Sequence, residues 1–299
     1  LAPKAPLFVA IDQEGGRVSR LPPPFTQLPP AAALGARKAV ALTYAIGEIM
    51  GRELAAIGVN MNMAPVLDVN TNAANPIIGD RAFGDSPMIV EEHGLALMVG
   101  LQDHGVIACA KHFPGHGATS ADSHLELPVV DASLRQLERI HLRPFAHAIA
   151  NRLSALMTAH VRYPALDARS PATLSKKIVT GLLRRAMGFD GVVITDDLEM
   201  KAVADRHDAG SAALKAFQAG ADVLLFCRDQ DAPEQAIDAL ADAVKRKRLS
   251  EARVDQSLNR ILRLKERFLL GAKPPSASRL RDIVGCEAHL RLVAQIKSS

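Results

Sequence analysis

The chain has no tryptophan and only two tyrosines, so a ligand pocket built from it lacks broad aromatic platforms and must rely on charged and hydrogen-bonding groups. Cysteine is scarce too. Of three in all, Cys109 and Cys227 fall inside apolar, strand-like runs, where a thiol behaves as a small buried hydrophobe. Reduced thiols fit a cytoplasmic protein, and that location is expected. No apolar run approaches the roughly 18 residues needed to span a bilayer, so no membrane partner is expected. An excess of one charge is also missing: 36 Lys and Arg stand against 32 Asp and Glu, a formal charge of +4 over 299 residues. The most basic stretch, Lys245 to Arg248, lies between a helical pattern and the Leu249-Ser250 turn, as a solvated helix end does. Nucleic acid is therefore not an expected partner.

What the sequence does contain is six short runs rich in Val, Ile, Leu or Met. They span Leu7 to Asp12, Val59 to Val69, Val106 to His112, Ala155 to Val161, Gly191 to Asp196 and Asp222 to Cys227. Continuous apolar strands of this kind suit a sheet covered on both faces. Helical patterns lie between them, with Ile46, Met50, Leu54 and Ile57 in one and Val90, Gly94, Leu97 and Leu101 in another. A looser pattern runs through Val254, Leu258, Ile261 and Phe268. Glycine stands at the junctions, as Gly58, Gly105, Gly188 and Gly220, where a left-handed residue after a helix turns the chain into a strand. A repeated strand–helix–glycine–strand unit means parallel β with right-handed crossovers. Without a linker or low-complexity segment, residues 1–299 read as one domain.

Parallel sheets carry function at the carboxyl ends of their strands. The six runs end at or near Asp12, Asp68, Lys111-His112, His160, Asp196 and Arg228, so polar residues converge on one rim. The expected fold is α/β, a barrel or near-barrel of the TIM (β/α)8 type, with a doubly wound open sheet as the alternative.

Three constellations on that rim bear chemistry. Lys111-His112-Phe113-Pro114-Gly115-His116-Gly117 is a bent loop able to approach a ligand closely, and Asp122-Ser123-His124 follows it. In an extended loop Asp122 and His124 share a side, so the carboxylate holds the imidazole in one tautomer for acid/base work. In Thr195-Asp196-Asp197, strand alternation turns Asp196 toward the barrel axis if Ile194 faces it, whereas Asp197 is expected to cap the following helix. Asp12 and Arg20 flank a Gly-Gly turn, and Arg81 sits in a second glycine-bounded loop. A metal-dependent hydrolase using His112, His116, His124 and His160 is the competing reading of these histidines, but no HExxH or similar spacing links them. Neither a metal nor another cofactor is expected.

Together these segments resemble glycoside hydrolase family 3, and within it the NagZ-like β-N-acetylhexosaminidases. The resemblance rests on Ile-Asp-Gln-Glu-Gly-Gly-Arg-Val at 11–18, Ala-Pro-Val-Leu-Asp-Val at 64–69 and Arg-Ala-Phe-Gly at 81–84. It rests further on Lys-His-Phe-Pro-Gly-His-Gly at 111–117, Asp-Ser-His at 122–124 and Thr-Asp-Asp-Leu at 195–198. The resemblance implies a retaining enzyme in which Asp196 attacks the anomeric carbon and His124, paired with Asp122, serves as acid/base. It also implies that Asp12, Arg20, Arg81, Lys111 and His112 hold the sugar. The implied partner is a small carbohydrate, a GlcNAc-1,6-anhydroMurNAc muropeptide met in peptidoglycan recycling, and the implied state is a monomer. In this family the Asp12 motif lies on the third barrel strand, so the first two βα units are expected to be absent from this chain, leaving two sheet edges and a core face open. A broad β-glycosidase and a non-catalytic sugar-binding remnant are the alternatives.

Overall fold

Each of the six apolar runs contains a strand. In chain order the strands are β1 (Ala10–Ile11), β2 (Met61–Asn62), β3 (Ile107–Phe113), β4 (Ala155–Thr158), β5 (Arg162–Tyr163), β6 (Asp167–Pro171), β7 (Val192–Asp197) and β8 (Val223–Leu225). The computed structural model describes residues 6–37, 39–123, 125–271 and 277–297. All strands except β5 and β6 form one parallel sheet in the order β1-β2-β3-β4-β7-β8. This curled sheet is a six-stranded part of a TIM-type barrel. The pair β5–β6 is a separate antiparallel hairpin that the apolar pattern did not anticipate.

Helices fill the crossovers: α1 (Ala31–Ala36), α2 (Val40–Ala56), α3 (Pro87–Asp103), α4 (Leu134–Gln136), α5 (Arg143–Ala150), α6 (Lys201–Ala204), α7 (Ala209–Ala219), α8 (Ala232–Lys245) and α9 (Glu251–Phe268). Two stretches, Leu137–His141 and Lys177–Ala186, are π-helical. The junction glycines behave as expected, with Gly58 at φ +83°, Gly105 at +75°, Gly188 at +71° and Gly220 at +129°.

The continuous apolar runs are explained by burial on both faces. Every residue of β3 is buried. Ala108, Ala110, Leu156 and Val193 join the outer core with α2 and α3, while Ile107, Cys109, Ala155, Met157, Val192 and Ile194 form an inner cluster. The inner face is not left bare, as an open sheet had suggested. Leu264 of α9 belongs to the inner cluster, and Ile261 and Phe268 pack against it. Helix α9 thus covers apolar surface that would otherwise meet water, each buried side chain of this size contributing roughly 1.5–3 kcal/mol.

Candidate active site

Strand β7 delivers the acid. Because Val192 and Ile194 point into the inner cluster and Val193 away from it, two-residue alternation turns Asp196 inward. It lines a cleft of about 610 Å³ at the carboxyl ends of the strands, together with Asp12, Glu14, Arg81, Lys111 and His112. Burial alone would raise the Asp196 carboxyl. His160, His112, the Asp197 N–H at 2.9 Å and Lys111 outweigh it and hold the group below the usual carboxylate range.

Asp197 does not cap the next helix. Helix α6 starts at Lys201 with Met200 as its N-cap, and the Asp197 carboxylate instead accepts the Glu199 N–H at 3.0 Å. Its carbonyl accepts a hydrogen bond from His160 Nε2 at 2.9 Å, while His160 Nδ1 lies 2.8 Å from Thr173 Oγ1. His160 therefore orients the strand end that carries Asp196. Burial lowers the His160 pKa from its ordinary value.

The same cleft holds a chain of charges, buried except at Asp12. Lys111, whose side chain is 2% exposed, reaches Asp12 Oδ1 and Glu14 Oε1, both at 2.6 Å. Glu14 in turn accepts a bidentate pair from Arg81, Nε to Oε2 and Nη2 to Oε1, each at 2.8 Å. Burial pushes Glu14 up, but Lys111 and Arg81 bring it down to about 2. Sequence reasoning named Asp12, Arg81 and Lys111 and missed Glu14, the anion that joins the two cations. The available signal was chemical: a buried lysine and arginine need a carboxylate. Arg20 lines the cleft with its side chain exposed. Among the described residues its guanidinium has no acid partner.

The loop after β3 is organised by Asp68, which is fully buried. Its Oδ2 accepts from His112 Nδ1 at 2.7 Å and its Oδ1 from the backbone N–H of His116 at 2.6 Å. Burial would raise Asp68, yet His112 and these donors keep it below its ordinary value. Asp68 thus holds the Nδ1 side of the His112 ring, which lines the cleft. His116 is lowered to about 4 by burial and by His112, so it is neutral near pH 7. Its Nδ1 lies 2.8 Å from Thr119 Oγ1 and its Nε2 3.2 Å from Ser123 Oγ. Since Thr119 Oγ1 donates to the His116 carbonyl, the consistent tautomer donates from Nδ1 and accepts the Ser123 hydroxyl at Nε2. Gly117 permits the close passage of this loop: a Cβ there would stand 1.9 Å from the Val69 carbonyl oxygen.

Ser123 thus ties the following loop to the cleft, and its carbonyl accepts the Ala202 N–H at 3.4 Å. Asp122 does not lie in an extended segment. Its carbonyl accepts from the N–H groups of Leu125 and Glu126, both at 3.0 Å, so the chain turns there. His124 lies outside the described residues, and the expected pairing of Asp122 with His124 falls there with it. Among the described residues, no group of three His, Cys, Asp or Glu side chains is placed to hold a metal ion. No helix there is long and apolar enough to cross a membrane.

Around one cleft of the barrel-type parallel sheet thus lie Asp196 at a strand tip, a lysine–glutamate–arginine chain and an aspartate-held histidine. Residues 2–264 match the glycosyl hydrolase family 3 N-terminal domain, and the chain belongs to that family. It is 38% identical to a β-hexosaminidase of Nitrosomonas eutropha over 93% of this chain and 82% of the relative. It is 36% identical to β-hexosaminidase A of Pseudoalteromonas piscicida over 97% of this chain and 52% of the relative. A solved family 3 β-N-acetylglucosaminidase from Paenibacillus sp. str. FPU-7 superimposes with a TM-score of 0.94 at 44% identity, covering 97% of this chain and 56% of that one. The chain therefore spans about half the length of the latter two proteins.

Proposed function

We propose that the protein is a retaining β-N-acetylglucosaminidase that removes terminal non-reducing GlcNAc. The observation that carries this reading is the ionised Asp196 at the tip of β7, inside the cleft and facing Lys111 and His112. A retaining glycosidase needs a carboxylate nucleophile that is deprotonated before the sugar arrives. In this reading Asp196 attacks the anomeric carbon and the leaving oxygen departs with a proton from His124. A glycosyl ester on Asp196 results, and water activated by His124 hydrolyses it. Asp122 positions and polarises that imidazole. The β-N-acetylglucosaminidase name of the Paenibacillus structure favours N-acetylglucosamine as the sugar.

Asp12, Arg20, Arg81, Lys111 and His112 hold the sugar. Asp12 accepts a hydrogen bond from a sugar hydroxyl, the Lys111 and Arg81 cations donate to sugar oxygens, and His112 Nε2 forms a further hydrogen bond to the sugar. We assign the substrate to GlcNAc-1,6-anhydroMurNAc muropeptides and the role to peptidoglycan recycling in a bacterial cytoplasm, with the chain acting as a monomer.

The test is hydrolysis of nitrophenyl β-N-acetylglucosaminide beside the plain glucoside. The reading predicts release from the first, little from the second, and loss of about 10³-fold or more in Asp196→Ala. Equal turnover of both sugars would favour a broad β-glycosidase. Binding of GlcNAc without turnover would make the chain a sugar-binding remnant.

A further inference from the structure

A second cavity, of about 650 Å³, lies at the opposite pole of the sheet, where the turns entering β7 and β8 meet the start of α9. Six cations line it, namely Lys176, Arg184, Arg185, Arg248, Arg253 and Arg260, and no carboxylate does. Three of them are held from behind by the buried Asp222. Arg184 Nη2 contacts its Oδ2, Arg260 Nη1 lies 3.3 Å from Oδ1, and Arg253 Nη1 lies 3.7 Å from Oδ1. Asp190 pairs with Arg260 at 3.1 Å and Asp242 with Arg248 at 2.9 Å. Six positive charges thus meet three negative ones, and both outer acids are shared with other arginines, Arg263 and Arg246.

Arg184 carries the second observation. Its side chain is 9% exposed. Nη1 donates to the carbonyls of Phe189 and Gly191 and Nη2 to Asp222, but Nε is buried without a hydrogen-bond partner. A buried donor left unpaired is rare in a folded protein, and it leaves Arg184 with hydrogen-bonding capacity that its own partners do not use. Burial, with the like charges of Arg260 and Arg253, pushes Arg184 down to about 10, the direction that an added anion would reverse. Helix α9, 18 residues long and N-capped by Ser250, adds the positive end of its dipole to the same space.

We propose that this cavity binds the phosphoryl group of a small soluble molecule, through the Arg184, Arg253 and Arg260 guanidinia with Lys176 and Arg185 at the mouth. Guanidinium forks match tetrahedral oxyanions in charge and geometry, and the volume is that of a small-molecule site. Recession of Arg184 below the surface favours a soluble phosphate over a lipid headgroup on a flat membrane.

The test is calorimetric titration of inorganic phosphate into the full chain at fixed ionic strength in chloride, with GlcNAc present to fill the cleft. Saturable one-site binding is expected, weakened about tenfold or more in the double variant Lys176→Glu, Arg185→Glu. Both positions are exposed, so the melting temperature should not change. Co-sedimentation with phosphatidylglycerol vesicles should be absent. Undiminished phosphate binding in the double variant, no saturable binding, or vesicle binding abolished by the same pair of substitutions would each overturn the proposal.

Discussion

Replacing Glu14 by glutamine keeps the side chain's shape and removes the anion between Lys111 and Arg81. The wild-type Glu14 carboxyl is held at about 2 against its ordinary value of 4.5. At about 1.4 kcal/mol per unit, that gap corresponds to about 3 kcal/mol of stability at neutral pH. The same order follows from removing one member of a buried ion pair, about 3–5 kcal/mol. Because the folded pKa is depressed, the contribution is complete above the unfolded value of 4.5 and is lost as pH falls through about 2. Glu14→Gln should therefore melt on the order of 5–10 °C below wild type at pH 7. Below pH 4.5 the two curves should begin to converge. Circular dichroism melts across this range decide the matter. A shift under about 2 °C at pH 7, or one that stays constant with acidification, would refute the reasoning.

Asp68→Asn removes the carboxylate that holds His112 Nδ1, and loss of such an orienting partner should cost about 10–100-fold in kcat/KM, measured by steady-state hydrolysis. Gly117→Ala drives a Cβ to 1.9 Å from the Val69 carbonyl oxygen and should destabilise the fold by about 2 kcal/mol or more in urea titration. Because Asp196 is held below its ordinary 3.8, kcat/KM should not lose activity to its protonation until the pH falls under that value. An acid limb near pH 5 or above that is assigned to Asp196 by carboxyl NMR would contradict this.

The strands were legible because burial on two faces leaves an apolar run, and alternation within Val192–Asp197 was enough to aim Asp196 inward. The hairpin was not. Arg162–Tyr163 and Asp167–Pro171 are short, mixed in polarity and carry no two-residue turn signal. Nor does a glutamate in a glycine-rich loop announce burial: Glu14 becomes the hub of the site only when Arg81 and Lys111 arrive from 67 and 97 positions away in the sequence. Asp197 misled because an acid before a helical pattern reads as a cap, whereas the extra turn through Glu199 and Met200 delays α6. The loop spacing of Asp122 assumed an extended chain, and the hydrogen bonds from Leu125 and Glu126 to its carbonyl show a turn. Helix α9 gave an apolar stripe, but periodicity alone could not say that Leu264 packs inside the sheet.

The central step of the proposed reaction is bond formation between the carboxylate of Asp196 and the sugar. A fluorinated N-acetylglucosaminide with a good leaving group slows hydrolysis of the glycosyl ester, so the intermediate can be mapped by peptide mass spectrometry. A single glycosyl adduct on the peptide containing Asp196, absent in Asp196→Ala, is predicted. An adduct on another residue, or turnover that gives the inverted anomer with no adduct at all, would contradict it.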